Sequence, residues 1–130
     1  MKSHSFTIYN ASAGSGKTFT LAKEYLKILF LSPNDDAYKR ILAITFTNKA
    51  VEEMKSRILN SLLAFSKDEV DEDFQDLFEA IHVETSLSFA TIRDKSKAIV
   101  KNIIHNYSSF GISTIDKFTL KVIRSFAQDL

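Results

Sequence analysis

An α/β fold follows from three features of the 130-residue sequence. Short β-prone or apolar segments alternate with longer stretches of helical periodicity, glycine and proline are scarce (three and one), and hydrophobic residues make up 45 %. Strands alternating with helices call for βαβ crossovers and a parallel sheet. Scarce turn residues mean short loops, with most of the chain in regular elements. Eleven Phe and many Ile and Leu supply a core, which excludes disorder as the main state. A chain of this length buries roughly two-thirds of its unfolded surface, enough for one domain.

The elements read in order as follows. Phe6 to Tyr9 is a short β-prone segment, interrupted by Ala11 to Gly16 (Ala-Ser-Ala-Gly-Ser-Gly). A helix runs from Lys17 to Leu31 with Leu21, Tyr25, Ile28 and Leu29 at helical spacing, and Pro33 stands beyond its end. Ile41 to Phe46 is a continuous apolar run, as expected of a strand covered on both faces. Asn48 is placed to cap the next helix, whose inward face is Val51, Met54, Ile58, Leu62 and Phe65. Phe74, Leu77, Phe78 and Ile81 mark a short amphipathic helix, and Leu87 to Tyr107 another, with Phe89, Ile92, Ile99, Ile103 and Tyr107 inward. Gly111 breaks it, Ile112 to Ile115 is a brief strand, and Asp116 opens a final helix using Phe118, Val122 and Phe126.

Composition narrows the chemistry. With no cysteine, disulfides, thiolate zinc sites and cysteine-ligated iron–sulfur clusters are excluded within these residues. Met1 to Asn10 has no apolar core of a signal peptide, and no run of about 18 apolar residues occurs. The expectation is a cytoplasmic protein without membrane attachment. Net charge is +1, but Lys67 to Asp76 holds six carboxylates and masks a more basic remainder; that run reads as a solvated loop and helix start. His4, His82 and His105 share no metal-ligand spacing, and no Ser-His-Asp grouping is arguable. Tyr107 and Phe110 read as core packing or as an aromatic surface for nucleic acid.

The strongest chemical signal is Ala11, Ser12, Ala13, Gly14, Ser15, Gly16, Lys17 and Thr18. It matches G-x-x-x-x-G-K-[ST] with Ala11 at the first glycine position. Gly14 and Gly16 let the backbone wrap an anion with its N–H groups inward. The helix start adds its positive dipole end, and Lys17 a mobile charge for β- and γ-phosphates. Thr18 is placed to offer its hydroxyl to a magnesium ion bridging them. A strand directly before and an amphipathic helix directly after are the context this loop requires.

Other junctions narrow the type of phosphate-loop protein. Thr45 to Asn48 lies where a strand gives way to a helix, the edge where α/β sheets place ligands. Phe46 is there either as the last core residue of its strand or as a ring that stacks on a base, with Thr47, Asn48 and Lys49 near phosphates. Asp116, at the second such junction, reads most simply as a helix N-cap.

Three stretches, ASAGSGKTFTLAKEYL, ILAITFTNKAVEEMKSRI and GISTIDKFTLKVIRSF, resemble motifs I, Ia and Ib of the UvrD/RecB-like superfamily 1 DNA helicases. The Ala-Ser-Ala-Gly opening of the loop is similar to the RecB/AddA branch, helicase–nuclease subunits of double-strand-break repair. The resemblance implies an incomplete RecA-like phosphate-loop domain, with a short parallel sheet flanked by helices, forming over 1–130 the N-terminal part of a first motor domain. It implies ATP and Mg2+ as cofactors, single-stranded DNA along Phe46, Thr47, Asn48 and Thr114, and association with further motor domains and a helicase–nuclease partner subunit. Asp116 stands where the family commonly has His, and Val51 where it often has Ala. A carboxylate repels phosphate, so Thr114 is the better contact. No apolar strand ends in Asp-Glu, so the expectation is the ATP-binding fragment of a longer enzyme, with negligible hydrolysis by itself. A non-catalytic nucleotide-binding module and a small kinase are the alternatives; Arg40, Arg57, Arg93 and Arg124 are too scattered for a kinase lid.

Overall fold

A computed structural model describes residues 6–8, 15–45 and 47–129. The elements are β1 (Phe6–Ile8), α1 (Ser15–Leu31), a 3-10 helix (Ala37–Arg40), β2 (Leu42–Thr45), α2 (Asn48–Phe65), α3 (Glu72–Thr85), α4 (Phe89–His105), a second 3-10 helix (Tyr107–Ser109), β3 (Ile112–Thr114) and α5 (Ile115–Asp129). The strands lie in the order β1-β2-β3. All pairings are parallel: Ile8 stands opposite Ile44, and Thr45 opposite Thr114. The expected α/β class therefore holds in a coarse form, a mostly helical chain with three short strands among the described residues.

The helix faces follow their spacing. On α2, Val51, Met54, Ile58, Leu62 and Phe65 are all buried. On α1, which packs against α2, α3 and α4, the buried set is wider than expected. Ala22, Leu26 and Phe30 join Leu21, Tyr25 and Leu29 in the core, whereas Ile28 is exposed. Leu77, Phe78 and Ile81 of α3 and Ile92, Ile99 and Ile103 of α4 complete the cluster.

Helix ends depart from expectation where a hydroxyl competes for the cap. Thr47, not Asn48, caps α2: its Oγ1 accepts from the Ala50 amide at 3.0 Å. Ser88 caps α4 through the Thr91 amide at 3.1 Å, so the helix starts at Phe89 and not at Leu87. It also stops at His105, leaving Tyr107 in the second 3-10 helix and exposed instead of inward. Phe89 is likewise half out, its ring stacked on His82 at 4.0 Å between centroids. At α5 the helix opens at Ile115, and the Lys117 amide donates to Thr114 Oγ1 at 3.2 Å, so Thr114 performs the capping expected of Asp116. A β-branched Thr suits both tasks, since its backbone ends a strand while its hydroxyl meets the first helical amides. Val122 is exposed, and the side chains of Phe118 and Phe126 lie outside the described part.

Charge ties α1 to α3. Glu84 accepts from Lys23 and from Lys27, each at 2.9 Å, and Glu24 lies 3.4 Å from Lys27. The two lysines hold the Glu84 carboxyl below its ordinary value, and Glu84 raises Lys27. A carboxylate with a lowered folded pKa contributes stability above its ordinary value of 4.5, and that contribution is lost as pH falls through the folded pKa. Glu84→Gln should therefore lower the urea midpoint slightly at neutral pH. It should also converge with the parent in acid below that value; a gap that persists there would rule out the ion pair as its source.

Candidate functional site

Parallel strands send their carboxyl ends to one edge. From that edge start three helices: α1 at Ser15 after β1, α2 at Asn48 after β2, and α5 at Ile115 after β3. The first amides of a helix lack intrahelical partners and carry its positive dipole end. No acidic residue occupies the first turn of α1 or α2, whereas α3 begins with Glu72 and Asp73. The sheet-edge helices α1 and α2 thus keep an uncompensated positive end, the electrostatic setting for an anion.

Of the phosphate-loop residues, Ala11, Ser12, Ala13 and Gly14 lie outside the described residues. Ser15, Gly16, Lys17 and Thr18 form the first turn of α1, so Lys17 and Thr18 stand at the helix start. Their side chains are outside the described part, as is all of Phe46.

The second strand end is better defined. Thr47, Asn48 and Lys49 are exposed at the start of α2. With Thr47 Oγ1 and carbonyl taking the amides of Ala50 and Val51, the amides of Asn48 and Lys49 are the ones with no intrahelical acceptor. The neighbouring strand brings Thr114 beside Thr45. Thr114 is only 5 % exposed, and its hydroxyl is committed to the α5 cap. Lys117, exposed in the first turn of α5, is the basic residue next to that cap, and sequence pattern alone gave no reason to single it out.

Phe110 is core, edge-on to Tyr25 and Tyr38. Burial pushes the Tyr25 phenol well above its ordinary pKa. His82 Nδ1 meets the Leu87 carbonyl and His105 Nδ1 the Lys101 carbonyl. Among the described residues no group of three His, Cys, Asp or Glu is arranged to hold a metal ion, and no helix is long and apolar enough to cross a membrane. The acidic run is an exposed loop leading into α3, as its composition predicts.

Residues 2–130 match the model of the UvrD/REP helicase N-terminal domain. The chain is 33 % identical over 130 residues to the RecBCD enzyme subunit RecB of Buchnera aphidicola, covering 90 % of this chain and 10 % of that protein. It is 34 % identical over 116 residues to an ATP-dependent helicase/nuclease subunit of Bacillus cytotoxicus, covering 89 % and 7 %. It is also 34 % identical over 101 residues to RecB of Haemophilus influenzae, covering 58 % and 8 %. The chain thus spans a tenth or less of the length of these relatives. No solved structure matches it.

Proposed function

The chain belongs to the UvrD/REP helicase N-terminal domain family, and we propose that it is the ATP-binding part of the first motor domain of an ATP-dependent DNA helicase or translocase. The reading includes a RecA-like sheet, of which β1, β2 and β3 form one portion, and a role in double-strand-break repair and recombination. The observation that carries it is the convergence of three strand-to-helix junctions on one sheet edge, each at a stretch quoted above.

In this reading Ala11 to Gly16 wrap the phosphates of ATP, Lys17 neutralises their charge, and Thr18 holds Mg2+. The acid-free first turn of α1 fits a polyphosphate, since a carboxylate there would repel it. Bound magnesium supplies charge neutralisation between β- and γ-oxygens. Single-stranded DNA crosses the adjacent part of the edge, with Phe46 stacking on a base and Thr47, Asn48 and Lys49 facing phosphates. Thr114 acts in this reading by shaping the α5 start, its backbone next to the strand and Lys117 supplying charge. The carboxylate that activates water, the second motor domain and any helicase–nuclease partner subunit belong to the longer assembly. The names of the relatives, RecBCD enzyme subunit and helicase/nuclease subunit, support that arrangement.

The test is fluorescence anisotropy with a labelled oligothymidylate. Phe46→Ala should weaken binding by about five-fold or more, since base stacking contributes ~1–3 kcal/mol, with far-UV circular dichroism confirming an unchanged fold. Equal affinity in parent and variant, both folded, would return Phe46 to the core and remove the DNA path from this edge.

A further inference from the structure

We infer that the seam between α2 and α4 around Tyr107 is a second contact for single-stranded nucleic acid, continuing the path from the sheet edge. The inference rests on the reading of that edge given above and extends it along the molecule.

The ring itself is the first observation. Tyr107 stands between α4 and β3, is 42 % exposed, and leans edge-on against the buried Phe110 at 6.0 Å. A core contact thus fixes the ring while much of it faces solvent. Lys55 of α2 places its ammonium 5.1 Å from the ring centroid. A held aromatic beside a cation is the pairing that single-strand binding surfaces use, because every base has a π-face and every linkage a phosphate.

The surroundings supply direction. Asn48, Glu52 and Lys55 recur at i, i+4 and i+7 on α2, so Lys55 lies roughly 10 Å along the helix from the edge junction. On α4, Lys97, Lys101 and Ile104 form an exposed stripe with the same spacing, ending just before Tyr107. Lys55, Lys97 and Lys101 make no ion pair among the described residues. Glu52 is the carboxylate within electrostatic reach of Tyr107, and Asp94 lies at the far end of α4.

Charge segregation favours the same face. Residues 68–79 hold seven carboxylates and no Lys or Arg, so the other residues carry 17 basic side chains against nine acidic ones. The acidic surface sits on α3 and the loop before it, which touches the start of α4 where Arg93 donates to the Lys67 carbonyl, so repulsion of a polyanion falls off along α4 toward its carboxyl end and Tyr107.

Anisotropy with oligothymidylates of about 4 and about 15 nucleotides, spanning the usual range of site sizes, tests the inference on the 130-residue chain. Tyr107→Leu should weaken binding of the longer oligonucleotide by about five- to hundred-fold and leave the shorter one nearly unchanged. Tyr107→Phe should bind as the parent does. Lys55→Met combined with Lys101→Met should reduce the slope of log affinity against log salt by about 1.4, and this surface pair serves if Tyr107→Leu fails to fold. If Tyr107→Leu and the lysine pair bind the longer strand as the parent does while Phe46→Ala weakens it, the seam is excluded and the edge path stands. A parent that binds neither length overturns both. Loss of binding to a protein partner with DNA affinity untouched would also overturn the inference, reassigning the ring to a protein interface.

Discussion

Gly111→Ala should destabilise the fold by roughly 3 kcal/mol. The glycine sits where the chain enters β3, with its carbonyl accepting from the Ala43 amide at 2.8 Å. A Cβ built there would overlap the Ile41 carbonyl oxygen and lie 2.9 Å from that carbonyl carbon and 3.1 Å from the Tyr38 oxygen. All three are backbone atoms, so no side chain can swing aside. The strand must shift, which weakens the β2–β3 pairing and the Phe110 contacts beside it. Positive φ is not the reason, since no described glycine adopts it; the constraint is space alone. Urea unfolding should show a lower midpoint with an unchanged slope. A midpoint within experimental error of the parent would mean that β3 is free to stand off from β2.

Lys17→Ala should weaken binding of Mg-ATP by about ten- to hundred-fold, the span of a hydrogen bond to a charged group of ~1.5–3 kcal/mol. The reasoning starts from position: Lys17 is the third residue of α1, at the positive end of a helix whose first turn carries no carboxylate. Backbone amides and dipole persist in the variant, so a residual affinity remains. Lys17→Arg should not restore the parent value, because a planar fork replaces a compact ammonium at a close approach. Core residues of α1 begin at Leu21, one turn further on, so thermal unfolding without nucleotide should not change. Isothermal titration calorimetry reads the difference directly. Equal affinity in parent and variant would remove the phosphate loop from Ala11 to Thr18, and with it the proposed function.

These two residues also show how far the sequence could be read. The glycine–lysine–threonine loop announces itself because phosphate chemistry needs those residue types at fixed spacing, whatever the rest of the chain does. The buried stripe of α2 is equally legible, since its five inward positions recur at helical spacing. On α1 burial spreads past the stripe and takes in Ala22, Leu26 and Phe30. The starts of α2, α4 and α5 differ from the pattern by one or two residues, because the hydroxyls of Thr47, Ser88 and Thr114 take the first helical amides. Tyr107 fits the helical period of α4, yet α4 ends at His105, where the Asn106 amide donates to the Asn102 and Ile103 carbonyls. No local spacing announces that stop, so its exposure appears only in three dimensions. The crowding at Gly111 is invisible for the same reason: its neighbours, Tyr38 and Ile41, lie about seventy residues away along the chain.

That separation in sequence bears on the order of assembly. Strand β2 ends at Thr45 and β3 begins at Ile112, so their pairing closes a loop that contains α2, α3 and α4. Closing a long loop costs chain entropy before any ladder bond compensates it, while the helices inside form from local contacts. The helical insert should therefore condense early and shorten the effective gap, with β3 docking onto β2 afterwards. Thr114 and the α5 start would then reach the sheet edge in that last step; a φ-value near zero for a β3 substitution such as Ile112→Val is the expected result.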